Sequence, residues 1–195
     1  DGAKNKKIGV ILNDYEKLNE KEQALFDNML HALEKNGAKI NKDIKIEEPK
    51  KIFQIMLYEF KSNFNAFLKQ NDMPIKSLVS LIRFNRDNEK EALKYGQILL
   101  EEVESNTSGR LNEKEYIDAL AERKQKSDEL ANLFKSYDML IFANYTSLGP
   151  ECGFPSMTLP IGLDKDNMPV GTYFLANKFH EHNLIEISYS LEQAL

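Results

Sequence analysis

A chain of 195 residues with 42 % hydrophobic and 29 % charged side chains has ordinary globular composition, which argues against a disordered or fibrous class. The formal charge of −5, with no stripe of clustered Lys and Arg, argues against a nucleic-acid-binding surface, since such affinity comes from neutralising phosphates. Apolar runs are broken by charge well short of the roughly 20 residues a membrane span requires, and the single cysteine, Cys152, has no internal disulfide partner, so a reducing, cytoplasmic setting is expected.

A chain of this size can hide roughly 70 % of the surface its unfolded form exposes, and residues 1–195 are expected to form a single domain. Residues 7–12, KIGVIL, suit a buried strand. A helix follows: Asn19 and Glu22 have capping-box spacing, and Leu25, Phe26, Met29, Leu30 and Leu33 repeat at helical intervals until Gly37 permits a left-handed stop. Residues 44–46 predict a second strand, giving a βαβ opening with parallel strands. Phe53, Leu57, Phe60, Phe64 and Phe67 recur every three or four residues, a helical stripe expected to face the core. Met73-Pro74 then breaks the helix, because a residue preceding proline is pushed out of the α region.

Short helices are expected over residues 75–83 and 89–103, with a polar loop over 105–110. Asn112 and Glu115 repeat the capping spacing. A helix from about 113 to 136 would bury Tyr116, Leu120, Leu130, Leu133 and Phe134 and expose its charged middle, 122–129. Residues 139–143 form a compact apolar strand, and 156–163 and 169–176 flank the turn 164–167 like a hairpin. Pro160 lacks a ladder donor and belongs at an edge or bend. Residues 180–195 close the chain as an amphipathic helix. The alternation of strands and helices predicts an α/β fold.

Tested for chemistry, the residues offer little. No GxSxG elbow is present, and Ser156, the nearest candidate nucleophile, has no identifiable neighbouring base. Cys152 with His180 or His182 could make a thiolate pair only if folding brought them together. His180 and His182 stand two apart, a spacing that on a helix points ligands away from each other, so no metal is expected. Asp164-Lys165-Asp166 begins like a calcium loop, but Pro169 and Leu175 occupy the positions that need glycine and glutamate. No phosphate-cradling glycines follow the first strand, and Glu101, Glu102 and Glu104 read as a solvated helix face. No cofactor is implied.

Three stretches, taken in order after KKIGV (Lys6 to Val10), resemble the amidase signature family, and in particular its peptide-amidase-like members. They are YEFKSNFNAFL (Tyr58 to Leu68), LIRFNRDNEKEALKYGQILLEEVE (Leu81 to Glu104, with its RFN and KYGQ elements), and the run from Gly149 to Leu195, which resembles the family's GxPxxxxPxG hairpin and final helix. The resemblance implies the carboxy-terminal part of the amidase signature fold, with a mixed sheet flanked by helices.

The family hydrolyses amides with a serine nucleophile, a bridging serine and a lysine base, drawn from a glycine- and serine-rich signature and an earlier lysine. No such signature stands before Lys6, so the resemblance assigns no catalytic residue to this chain and predicts inactivity alone. What it does imply is pocket surface for a peptide or small-molecule amide, with Asn85 of the RFN element and Phe154 of the CGFPS loop as substrate-binding positions. A sheet completed by strands from elsewhere would leave an apolar face or unpaired edge. The missing amino-terminal catalytic half, or self-association, is expected to cover it. The alternative reading is a stand-alone ligand-binding or regulatory module without turnover.

Overall fold

The computed structural model describes residues 2–195, which fall into two compact units: residues up to Pro49 together with Lys124–Leu195, and Lys50–Arg123. In chain order the elements are β1 (Lys7–Ile11), α1 (Glu20–Lys35), β2 (Lys39–Ile44), α2 (Ile52–Gln70), α3 (Leu78–Asp87), α4 (Glu89–Ala92), α5 (Ile98–Asn106), α6 (Lys114–Leu133), β3 (Met139–Phe142), α7 (Leu148–Cys152), β4 (Ser156–Leu163), β5 (Pro169–Leu175) and α8 (Glu181–Glu192). A 3-10 turn occupies Tyr15–Lys17. Among the described residues no helix is long and apolar enough to cross a membrane.

All five of these strands lie in the first unit, as one mixed sheet of order β2-β1-β3-β5-β4. β1 runs parallel to β2 and β3, and β5 is antiparallel to β3 and β4. One face of the sheet presents Ile8, Val10, Ile141, Leu159, Ile161 and Phe174 to α1 and α8, in a single buried cluster with Phe26, Met29, Leu30 and Leu33 of α1 and Leu184, Ile187 and Leu191 of α8. Each fully buried side chain of this size contributes roughly 1.5–3 kcal/mol.

α1 starts as its sequence predicts: the Asn19 side chain accepts from the backbone of Lys21 and Glu22, while Glu22 reaches back to the Asn19 N–H. It stops at Gly37, whose φ of 89° is open to glycine. The second strand does not match residues 44–46. It runs over Lys39–Ile44, because Lys39 pairs with Lys7 directly after the Gly37 turn. Its mostly polar, exposed side chains suit an outer strand. Gly9 in β1 leaves room for its neighbour, since a Cβ there would come within 2.4 Å of Ile44 Cδ1. β4 is the other outer strand, and its register shifts between Pro160 and Gly162, where the missing donor is tolerated.

The second unit is helical. α2, α3 and α5 share a small core in which Leu78, Ile82 and Val103 are packed by Leu57, Phe60, Phe64 and Leu100. Phe60 and Phe64 stack with centroids 5.3 Å apart. Tyr116, on the first half of α6, lies against Tyr58 and donates its hydroxyl to Glu59 at 2.9 Å. The aromatic stripe does not face a core as a whole: Phe53 and Phe67 are about half exposed, and the buried face of α2 is Ile52, Ile55, Tyr58 and Leu68. The helix expected over residues 89–103 is interrupted between α4 and α5, where Gly96 has a φ of 72°. α6 also departs from expectation: Lys126 lies buried within the charged middle, its ammonium donating to Glu129 at 2.9 Å.

Candidate functional site

In the sheet unit the parallel strands β2, β1 and β3 end at one edge, and the loops that follow Ile11, Ile44 and Phe142 meet there. In open α/β sheets the crevice beyond strand carboxyl ends is the usual ligand position, because the loops can diverge there without breaking the ladder. Asn13 donates its amide to the Ile46 carbonyl at 2.6 Å, tying the first two loops together. Ser147 donates its N–H to Glu48 at 3.3 Å, joining the second to the third. Thr146 is buried, and its hydroxyl oxygen accepts from Leu148 N at the start of α7. α7 packs closely: a Cβ on Gly149 would stand 3.0 Å from Ser156 Cβ and 3.3 Å from Leu175 Cγ.

Two hollows open at this edge. The larger, of about 690 Å³, is floored by Leu12, Ile44 and Ile46 and holds the Lys126–Glu129 pair in its wall. The Lys126 hydrogen bond is the largest influence on the Glu129 carboxyl and lowers its pKa, with burial opposing and the Gln125 amide assisting. The smaller, of about 270 Å³, lies at the β4–β5 end and includes Tyr145, Tyr173, Glu22 and Asp164.

The candidate chemistry of the sequence takes definite positions. Ser156 is exposed at the start of β4. One serine–lysine contact, unforeseen from sequence, is present: Lys178 Nζ donates to Ser127 Oγ at 3.0 Å. Ser127 sits inside α6, where backbone N–H groups are used by the helix itself. Cys152 is buried in α7. His180 and His182 do not point apart. His180 caps α8 instead of lying within it, and the two rings sit 5.3 Å apart. Among the described residues no group of three or more His, Cys, Asp or Glu is placed to hold a metal.

Asn85 and Phe154 belong to different units, each held by neighbours of its own. Asn85, half-buried on α3, donates to Gln97 Oε1 at 3.0 Å, and Gln97 in turn donates to Glu101, which accepts from Arg86 at 2.8 Å. The Arg86 hydrogen bond foremost holds the Glu101 carboxyl below its ordinary pKa, so Glu101 is anchored rather than poised as an acid. The RFN and KYGQ elements are thereby one polar chain between α3 and α5. Phe154 is buried, stacked on Phe134 at 5.5 Å, with the Lys178 ammonium 4.7 Å from its ring centre. The left-handed Gly153, with φ of 75°, turns the chain from α7 into this packing.

A family model described as Amidase matches residues 2–153. A probable amidase of Arabidopsis thaliana is 26 % identical over 206 residues, covering 99 % of this chain and 39 % of that protein. An amidase family protein from Bacillus anthracis superposes with a TM-score of 0.84 at 29 % identity, over 99 % of this chain and 39 % of its own. A peptide amidase from Stenotrophomonas maltophilia gives 0.77 at 27 %, over 98 % and 43 %. The chain thus spans about two-fifths of the length of these relatives.

Proposed function

The chain belongs to the Amidase family, and on that premise we propose that it serves the hydrolysis of a carboxamide carbon–nitrogen bond by shaping the cleft of an enzyme whose attacking groups lie beyond residues 1–195. The substrate class is a peptide or small-molecule amide. The observation that carries this reading is the pairing of a loop-built opening at the carboxyl ends of β1, β2 and β3 with a Ser127–Lys178 contact seated inside α6, whose backbone N–H groups serve the helix. Acyl transfer needs a nucleophile, a base within hydrogen-bond reach and N–H donors aimed at the developing oxyanion. The opening supplies walls for such a reaction.

Within this reading Phe154, packed on Phe134 where the chain leaves α7, and Asn85, tied to Gln97 in the helical unit, are the substrate-binding positions. The half-exposed Phe53, Met56 and Phe67 of α2 are covered in the working enzyme by the remaining polypeptide or a second copy. A cytoplasmic setting accords with the lone cysteine. A serine-directed fluorophosphonate followed by mass spectrometry tests the assignment. The chain by itself is expected to remain unmodified, and a stoichiometric adduct on Ser127 or Ser156 would overturn it.

A further inference from the structure

The smaller hollow has a chemical character that the larger one lacks. Of its lining residues only two carry formal charge, Glu22 and Asp164, and both are carboxylates. The 690 Å³ cleft instead mixes Lys42, Lys45 and Lys126 with Asp43, Glu47 and Glu129. Beside the two carboxylates stand Tyr145 and Tyr173, with ring centres 5.4 Å apart and planes at 87°. Antiparallel pairing of β3 with β5 sets Tyr173 opposite Phe142, and the loop after β3 brings Tyr145 across to it.

Each carboxylate is held by the backbone through one oxygen. Glu22 Oε2 accepts from Asn19 N at 2.9 Å, and Asp164 Oδ1 accepts from Asp166 N at 2.8 Å and Met168 N at 2.9 Å. Lys21 donates to the Asp164 backbone carbonyl, and neither it nor Lys165 is part of the lining. The Tyr145 and Tyr173 rings meet edge to face and give the hollow aromatic surface, to which cations are attracted, and two fixed carboxylates add negative charge with no Lys or Arg among the lining residues. At about 270 Å³ the space is below the size of most whole-ligand pockets and suits one side chain of a larger molecule.

We propose that the Tyr145–Tyr173 hollow is a subsite for a cationic group, an alkylammonium or guanidinium, carried by the amide substrate. Only the word substrate rests on the amide-hydrolase reading. Cation binding itself is a property of this chain, so its failure would leave that reading standing.

The experiment is a titration of the intact chain, followed by amide-resolved NMR, with argininamide and with norleucinamide, both acetylated on the α-nitrogen so that only the arginine side chain carries charge. Argininamide is expected to shift Asn144, Tyr145 and Gly171 saturably and to bind about tenfold more tightly than norleucinamide. The double variant Glu22→Gln with Asp164→Asn keeps the oxygens that accept the backbone bonds and removes the charge. It should erase most of that preference, as should Tyr173→Leu. Equal binding of the two amides to the unaltered chain, absence of binding, shifts confined to other residues, or an unchanged preference in the double variant would each overturn the proposal.

Discussion

The sheet unit and the helical unit use similar apolar residues to different ends. In the sheet unit Ile8, Val10, Ile141 and Phe174 are wholly buried beneath α1 and α8. In the helical unit Leu78, Ile82 and Val103 anchor the α2–α3–α5 core and Ile52, Ile55, Tyr58 and Leu68 of α2 are buried, while Phe53, Met56, Phe67, Val79, Phe84 and Ile98 remain substantially exposed. Water-driven burial rewards the first arrangement and leaves the second incomplete.

The contrast can be broken most forcefully in the sheet unit. Phe174→Ala removes a ring at the centre of the largest cluster and should cost about 3–5 kcal/mol, read as a lowered denaturation midpoint. A loss within the range of a surface substitution would mean that this core does not hold the unit together.

A smaller effect, on pH, belongs to the helical unit. Hydrogen bonds from Ser108, first from its hydroxyl at 2.5 Å and then from its N–H at 2.9 Å, hold the Glu113 carboxyl at about 2, well below 4.5. Glu113 also caps α6, its carbonyl accepting from Ile117 N. A depressed folded-state pKa gives stability that is present above about 4.5 and lost as pH falls towards 2. Ser108→Ala should raise the Glu113 midpoint towards 4.5 in an NMR titration, and an unmoved midpoint would place its cause elsewhere. Phe53→Ser should change stability least, by less than about 0.5 kcal/mol, yet reduce self-association measured by sedimentation. A large destabilisation would show that Phe53 is a core residue after all.

How much could be read in advance follows the same division. In the sheet unit the pattern of Leu25 to Leu33, the Asn19–Glu22 box and the Asp164 turn each state their structure locally, and each forms as expected. β2 was illegible because an outer strand needs pairing partners more than apolar side chains, and KINKDI has few of the latter. In α2 two apolar stripes share one helix, and spacing alone does not rank Phe53–Phe67 below Ile52–Tyr58. The burial of Lys126 goes with its hydrogen bond to Glu129, a contact that a charged run leaves open. The Tyr145–Tyr173 hollow is created by strand pairing between distant segments, which no local pattern announces.

The central claim, that this chain shapes an amidase cleft without performing the attack, is tested most directly by following ammonia release when the purified chain is incubated with peptide amides. The account predicts release no faster than in buffer. Turnover above that background, abolished by Ser127→Ala or Ser156→Ala, would contradict it.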